Sequence, residues 1–400
     1  GGLSIIQAAN DSAFRLRSAS RRNPILPPSS TERMNRGDAS KIQGCDLHAR
    51  QQTLAVLDVA TGEVEEHVLE HDGSAVRDFY AALEGPLRVG IEATGSMHWF
   101  LKLMDELGIE CQGGHPAKIR ACEPRKQKHD RRDATLLLKL LSEDRFPRIW
   151  MPTVEQRDVR ELLLYRHQWV RIRVRVQNAL QSIALSHGLR RGTSLWSRAG
   201  LEAMGALALP PYASQRRAAL VSLYRQLEAE IDVLNKTVAA CAVQRPQARR
   251  LMTHPGVGPI TALATEVFLG DPARFANGKA VASYIGMIPS EYSSAGRQRC
   301  GALTKQGNAL VRFLWCEAVG HAVRRDEALK RFFRRKLAQK GLGKATVATG
   351  RKLGIRLWIM MRDEIDYDEF CRGTRQMREP HAEMPACKHG PASGSDRTPE

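Results

Sequence analysis

Four acidic residues have the chemistry and spacing to hold a metal ion. Asp130 and Asp133 lie three residues apart in KQKHDRRDATLLLKLL, so a helix would present both carboxylates on one face. Asp46 falls within the run IQGCDLH, and Glu92 lies near the end of the apolar run LRVGIEA. Mg²⁺ prefers oxygen ligands, and two such ions about 4 Å apart can stabilise the attacking and leaving oxygens of a phosphodiester. If the four acids converge, we expect a magnesium-dependent reaction on a phosphate ester.

Each of these acids also has a simpler explanation when it is taken alone. The basic residues around Asp130 and Asp133 would neutralise the pair on a solvated surface. An acid in or after a strand commonly marks an edge or a turn. The metal hypothesis therefore depends on the order of the motifs: an Asp in a strand, a Glu that follows a later strand, and two Asp that open a helix.

A second segment, PSEYSSAGRQRCGALTKQGNALVRFL, combines hydroxyl groups with positive charge. Ser293 and Ser294 stand before Ala295. Basic side chains follow at Arg297, Arg299, Lys305 and Arg312. A serine is a poor nucleophile at neutral pH, but cations that hold a phosphate would stabilise the negative charge that develops during attack. An ordinary turn is the simpler explanation of this segment.

Two further segments favour contact with nucleic acid. In PGVG at 255–258, the amide groups of Gly256 and Gly258 would grip a phosphate without reading a base, as in a helix-hairpin-helix; a plain helical turn is the alternative. Residues 321–358 contain twelve Lys or Arg and only two acids, and the aromatic side chains among them would either pack in a core or stack on bases. We expect phosphate contacts in this run from Arg334, Arg335 and Lys336.

The overall composition agrees with a nucleic-acid partner. The chain has 61 Lys and Arg against 43 Asp and Glu, a formal net charge of +18, which favours binding to polyanions. It has no apolar run of about 18 residues that would span a bilayer, so we expect no membrane partner. The eight cysteines are scattered without the spacing of a zinc site, as is typical of proteins in a reducing cytosol.

The pattern of apolar residues predicts the elements that position the acids. We expect strands at 42–48, 53–60, 63–69 and 87–93, a short strand at 109–112, and helices at about 74–84, 96–107, 116–122 and 130–142. A three-strand meander followed by alternating helices and strands forms a mixed α/β sheet with helices on both faces. That is the layout of a ribonuclease-H-like domain.

Residues 154 to about 245 are predicted to be almost entirely helical, and shorter helices interrupted by glycine follow. Apolar residues repeat at alternating spacings of four and three along Leu220, Tyr224, Leu227, Ile231, Leu234 and Val238. This pattern is typical of a coiled-coil seam. The seam fits a helical hairpin within one chain as well as it fits a dimer interface.

Taken together, several motifs resemble the DEDD transposases of the insertion-sequence one-ten family, the recombinases that use a bridge RNA as guide. The motifs are IEATG at 91–95, PRKQKHDRRDA at 124–134, LMTHPGVGPITALATEVF at 251–268, and YIGMIPSEYSSAG with the downstream TKQGNALVRFL. The similarity covers nearly all of residues 41–370.

The resemblance implies a domain organisation and a set of site residues. The segments are a RuvC-like DEDD domain at 41–150, a helical coiled-coil segment at 151–248, and a mainly helical transposase domain with a helix-hairpin-helix at 249–372. Outside them, polar composition without periodicity predicts a disordered N-terminal extension at 1–40, or upstream sequence that is not part of the folded protein, and a disordered tail at 373–400. Asp46, Glu92, Asp130 and Asp133 match the Mg²⁺ ligands of the family, and Ser294 matches its nucleophile. The family serine stands directly before a glycine, whereas this chain has Ala295.

The resemblance also implies an activity and partners. The reaction would be excision and insertion of an insertion sequence through a covalent serine–DNA intermediate. The partners would be donor and target DNA, a structured guide RNA, and further copies of the chain in a dimer or tetramer, within the bacterial cytoplasm at the nucleoid. Two alternatives remain open: a nuclease like a junction resolvase, which uses water as nucleophile, and an inactive relic that only binds nucleic acid.

Overall fold

The computed structural model describes residues 40–95, 97–123, 129–190, 192–291 and 300–376. The chain divides into two compact units, residues 1–154 and 155–400. The finer division of the second unit into a helical segment and a transposase domain stays a prediction.

The first unit is built on a five-stranded mixed sheet. Its strands are β1 (Lys41–Leu47), β2 (Gln51–Asp58), β3 (Val64–Glu70), β4 (Leu87–Glu92) and β5 (Glu110–Gly114). Their order is β3-β2-β1-β4-β5, with β1, β2 and β3 antiparallel and with β4 and β5 parallel to β1. The helices are α1 (Ala75–Ala81), α2 (His98–Glu106), α3 (Pro116–Ala121) and α4 (Asp130–Ser142).

Helices cover both faces of this sheet. On one face, Cys45 and Ile91 pack with Phe100 of α2 in the largest core of the unit. On the other face, Ala55 packs against Ala134 of α4. The central strand β1 is therefore enclosed on both sides, which explains why it lacks a clean polar and apolar alternation. The predicted ribonuclease-H-like α/β fold is confirmed, and the nine elements lie close to their expected positions.

The second unit is mainly helical, as expected. Its helices are α5 (Val154–Ser186), α6 (Arg198–Ala206), α7 (Pro211–Gln244), α8 (Pro246–Met252), α9 (Pro259–Leu269), α10 (Gly278–Tyr284), α11 (Ala309–Arg325), α12 (Glu327–Arg362) and α13 (Tyr367–Gln376), with 3-10 turns at Gly192–Trp196 and Pro272–Arg274. Strands β6 (Pro289–Glu291) and β7 (Cys300–Leu303) form an antiparallel hairpin.

The two longest unbroken helices, α5 and α7, form an antiparallel hairpin. Arg166 donates from Nε to Oδ1 of Asn235 at 2.7 Å, and Arg173 donates to Glu228 at 2.8 Å. As the residue number rises on one helix it falls on the other, so the two helices run in opposite directions. Four seam residues are buried in the chain itself: Tyr224, Leu227, Ile231 and Val238. Of the two arrangements that the seam allowed, the structure contains the hairpin within one chain.

Helix α12 is divided by a sharp bend. Gly341 has φ 75° and ψ 171°, which separates a first arm at 327–340 from a second arm at 342–362. At the base of the arms, Arg356 forms a buried ion pair with Asp326, and the Tyr367 hydroxyl donates to the same carboxylate at 2.8 Å. This network holds the start of the first arm against the second arm and α13.

Candidate metal site and nucleic-acid interface

Two glycines show which face of the sheet carries the predicted acids. Gly44 of β1 and Gly90 of β4 are register partners. A Cβ atom on Gly44 would lie 2.1 Å from the backbone oxygen of Ala134, so this face of β1 lies directly under α4. Side chains two residues apart in a strand share a face. Asp46 and Glu92, each two residues after one of these glycines, therefore both point to the face that α4 covers.

Helix α4 supplies the other two acids from its first turn. Asp130 lies one turn before Ala134, on the stripe that packs over β1. Asp133 lies two turns before Leu141, whose side chain occupies the space next to Gly90 of β4. The helix therefore directs Asp130 toward β1 and Asp133 toward β4.

The tightest group of potential metal ligands consists of Asp46, His48 and Asp130. One ligand atom from each lies within 4.8 Å of the others. His48 Nε2 is 3.1 Å from Asp46 Oδ2 and 3.6 Å from Asp130 Oδ1. Asp46 is 7% exposed, whereas the other two side chains are half-buried. Two carboxylates and an imidazole form a donor set that fits a divalent metal ion.

The structure thus brings together two of the four predicted acids and adds a histidine. Within the described residues, Glu92 and Asp133 share the face but are not members of this close group. The sequence prediction does not include His48, because Mg²⁺ prefers oxygen ligands. The alternation of β1 contained the signal, since His48 follows Asp46 by two residues and so continues the same face.

The predicted phosphate-binding turn between α8 and α9 divides into two kinds of position. Gly256 has φ +84°, and a Cβ atom there would lie 2.4 Å from the backbone nitrogen of Ala322 in α11. Its lack of a side chain therefore serves packing within the chain. Gly258 is exposed with nothing near its Cβ position and directly precedes α9. Contact of this turn with nucleic acid stays a prediction.

The hairpin β6–β7 flanks the predicted nucleophile. Ser294, its neighbours Ser293 and Ala295, and the predicted phosphate ligands Arg297 and Arg299 lie outside the described residues.

The two other basic residues predicted for this segment are visible at the base of the hairpin. Lys305 donates its backbone N–H to the Gly286 oxygen at 3.2 Å. Arg312 donates from Nη1 to three backbone oxygens, those of Ile285, Gln306 and Gly307, at 2.8–3.1 Å. The guanidinium of Arg312 is thus engaged with the segments on both sides of the hairpin.

The predicted basic surface lies on the first arm of α12. Arg334 and Arg335 are exposed and Lys336 is half-buried. Arg335 and Lys336 lie 5.6 and 5.8 Å from the centre of the Phe332 ring. This arm therefore combines positive charge with an aromatic ring. Across the described part of the chain, none of the helices has the length and apolar character needed to cross a membrane.

Two family models match this chain. The model of the IS116/IS110/IS902 transposase family matches residues 248–334, and the model of the DEDD transposases of IS110 type matches residues 43–187. The second match contains the close group of Asp46, His48 and Asp130. The first contains the turn between α8 and α9 and most of the first arm of α12.

Curated relatives carry the same description. A probable family 20 transposase of Pseudomonas aeruginosa is 28% identical over 306 residues, 73% of this chain and 88% of the relative. The transposase of insertion sequence element IS1111A from Coxiella burnetii is 25% identical over 72% of this chain and 82% of its own length. The transposase of insertion sequence element IS1328 from Yersinia enterocolitica is 23% identical over 66% of this chain and 81% of its own length. Together with the ribonuclease-H-like fold and its acidic group, these matches show that the chain belongs to the IS110 family of transposases, enzymes that act on DNA.

Proposed function

We propose that this transposase is a Mg²⁺-dependent recombinase, which excises and inserts its insertion sequence through a covalent bond between Ser294 and DNA. One observation carries the metal-dependent part of the proposal. Asp46 from β1 and Asp130 from α4 both approach the His48 imidazole at the carboxyl end of the central strand. Acids that meet from separate elements indicate a built site, because chance surface acids repel and separate.

Asp46 and Asp130 would hold the ion, and Glu92 and Asp133 on the same face would supply further oxygen ligands. When bound, Mg²⁺ would neutralise charge on the phosphate under attack. His48 Nε2 lies 3.1 Å from Asp46 Oδ2, so the imidazole would orient this carboxylate, and it stands 3.6 Å from Asp130 Oδ1, beside the ion. Four carboxylates on one face repel one another, so a divalent cation would also stabilise the fold locally.

The strand-transfer step would use the Ser294 hydroxyl. Its oxygen bonds to the phosphorus of one DNA strand as the P–O bond to the other strand end breaks. The proton of the serine passes to solvent, and the leaving oxygen takes up a proton from solvent and becomes a free hydroxyl. The phosphoserine ester keeps the energy of the phosphodiester, so the reverse reaction can join a new DNA end without an external energy source. Support comes from the family and from the cations predicted beside the serine, Arg297 and Arg299.

Trapping of the covalent adduct tests the proposal directly. Full-length protein, expressed together with the DNA that flanks its gene, is incubated with a plasmid carrying the element ends and Mg²⁺, then stopped with detergent. We expect protein–DNA adducts and recombinant plasmid. Ser294→Ala and Asp130→Asn should give neither, while DNA binding persists for Ser294→Ala. Ser293→Ala is the matched control and should retain both.

Other outcomes of the same assay would identify the alternatives. Strand cleavage without adducts, unaffected by Ser294→Ala but abolished by Asp130→Asn, would indicate a nuclease of the junction-resolvase type. DNA binding with no cleavage under any condition, unchanged when the four acids are replaced by amides, would indicate an inactive relic.

We infer the partners from the same resemblance and from the basic charge of the chain. These are donor and target DNA, a structured guide RNA from the flank of the element, and further copies of the chain in a dimer or tetramer. A bacterial enzyme with such substrates would act in the cytoplasm at the nucleoid. Sequencing of RNA that copurifies, light scattering of the complex, and imaging of a fluorescent fusion would test these three points.

A further inference from the structure

A large cleft separates the two arms of α12. It has a volume of about 1330 Å³ and is bordered on one side by residues of the β6–β7 hairpin, among them Pro289 and Leu303. The arms meet at Gly341 at one end and are fixed at the other by the buried Asp326–Arg356 ion pair. Because both ends are held, the cleft is a built feature of the fold.

The charge in the cleft is of one sign. Six cationic residues line it. Arg356 is paired with Asp326, and the other five are Lys336, Lys340, Lys344, Arg351 and Lys352. Among the described residues that line it there is no acid. Lysines and arginines collected in one concave space repel one another, and low-dielectric walls strengthen that repulsion. A polyanion in the cleft would relieve it, whereas a neutral or basic protein segment would not.

The floor of the cleft is apolar and carries an aromatic ring. Met287, Val347 and Ile355 line it, and Phe332 projects from the first arm. Lys352 Nζ lies 4.6 Å from the centre of the Phe332 ring. Bases stack on aromatic side chains while cations contact the adjoining phosphates, which is how proteins bind single strands. A duplex keeps its bases stacked inside and could use only the cations.

We propose that this cleft binds a single-stranded segment of nucleic acid, with an unstacked base against Phe332 and the flanking phosphates on the lysines and arginine. The volume exceeds the roughly 300–1,000 Å³ of a small-molecule pocket, so it accepts more than one nucleotide. The assignment rests on the proposed function in one respect: the bound strand would belong to the DNA that is recombined or to the guide RNA, and the DNA and RNA probes below distinguish these two sources.

Binding to short oligonucleotides in EDTA tests the cleft without any chemistry. The probes are labelled oligothymidylate and oligouridylate of about 12 nucleotides and a duplex of the same length, titrated with the full-length protein. Phe332→Leu keeps an apolar side chain but removes the stacking face, and we expect it to weaken binding of a single strand by about 5-fold or more and to leave duplex binding unchanged.

The contribution of positive charge is tested at two lysines, one on each side of the bend at Gly341. Lys340→Gln combined with Lys344→Gln should weaken single-strand binding and reduce the slope of log K against log salt by about 1.4, since each phosphate contact contributes about 0.7. The control removes the same charge elsewhere, with Lys102→Gln combined with Lys236→Gln, and should leave the slope within about 0.3 of the wild type. Selective loss for DNA or for RNA would identify which strand the cleft holds.

Three results would overturn the assignment. The first is an equal loss of single-strand affinity in the cleft and control lysine variants. The second is that Phe332→Leu weakens duplex and single-strand binding equally. The third is that polyglutamate displaces the oligonucleotide and itself binds in a way that depends on Phe332. If the variants misfold, photocrosslinking of wild-type protein to an iodouracil-containing strand decides instead: crosslinks must fall in 327–352. A negative result in oligonucleotide binding would not change the expected result of the Ser294 adduct assay. A negative adduct assay would equally leave the binding test of the cleft valid, since binding in EDTA needs no chemistry.

Discussion

Gly44 of β1 lies directly opposite Gly90 of β4, and α4 fills the space that side chains would need at both positions. Leu141 of the helix occupies the space beside Gly90, while the helix backbone itself approaches Gly44. This close approach brings the first turn of α4 to the end of β1, where Asp130 meets His48 and Asp46. The geometry of the acidic site therefore depends on the absence of two methyl groups in the sheet.

Replacement of Gly44 by Ala should damage the fold and the site together. Its Cβ would lie 2.1 Å from the Ala134 oxygen and 2.4 Å from the Leu138 nitrogen, both backbone atoms that cannot rotate away. We expect a loss of about 1–3 kcal/mol or more in the free energy of unfolding, measured in urea, and weaker Mn²⁺ binding. Gly205→Ala, where a Cβ meets no atom within 4 Å, is the control. Equal stability of the two variants would contradict the packing.

Metal binding should depend on both a carboxylate and the histidine. Titration of the wild type with Mn²⁺ by calorimetry should give saturable binding that Asp130→Asn reduces at least about 10-fold, because an amide lacks the charge. His48→Gln should reduce the affinity by about 10–100-fold, the usual effect of removing a group that orients or completes a metal site. Asp105→Asn, an exposed acid on α2, should bind like the wild type. Unchanged affinity in Asp130→Asn would exclude this group as the metal site.

The stability of the protein should fall in mildly acidic solution because of His254. Burial lowers the pKa of His254 from 6.5 to about 4, and the side chain is 1% exposed. The unfolded chain binds a proton near pH 6.5, whereas the folded protein resists it until about pH 4. The free energy of unfolding should therefore fall through that window, by roughly 3 kcal/mol in total.

Urea unfolding at several pH values checks this slope. Full stability should be present above pH 6.5, and the loss caused by His254 should be complete below about pH 4. His254→Gln should flatten the curve without abolishing its slope, since burial also lowers the pKa of His167. His321→Gln, at an exposed position, should keep the wild-type curve. An identical slope in His254→Gln would show that the histidine does not cause it.

Arg312 should prove to be a positioning residue for the hairpin. Its Nη1 donates to the backbone on both sides of β6–β7. A lysine side chain is one bond shorter, so its ammonium would not reach the position of Nη1 between these oxygens. Arg312→Lys keeps the charge, so DNA binding at low salt should change little, while unfolding stability drops by about 1–3 kcal/mol and adduct formation slows. Arg334→Lys on the exposed side of α12 should stay within about 0.5 kcal/mol of the wild type. Weakened DNA binding with full stability would instead favour the phosphate contact first expected for Arg312.

Much of this architecture follows from local sequence. Apolar runs bounded by turns predict the strands of the first unit, and the order of the elements predicts the sheet. The period of two along β1 also specifies that Asp46 and His48 share a face. The site was incompletely predicted because a preference for oxygen ligands led to the omission of His48. Local pattern also does not specify how closely Glu92 and Asp133 approach the other acids, since that distance depends on how α4 is seated.

Roles that depend on distant backbone were less accessible. Arg312 and Gly256 have residue types expected of phosphate contacts, and such contacts stay predictions. The structure adds that Arg312 donates to backbone oxygens and that Gly256 packs against α11. Both roles require knowledge of which segments meet in space. The heptad seam on α7 shows the same limit: its period predicts that the residues are buried, but does not specify whether α5 or a second chain buries them.

The α5–α7 hairpin also sets a length scale. At 1.5 Å per residue, the 33 residues of α5 extend for about 50 Å. One turn of B-form duplex advances about 34 Å, so the hairpin reaches across nearly one and a half turns. A contact made at the tip of the hairpin, where α5 ends, therefore lies about 50 Å from a contact made where α5 begins.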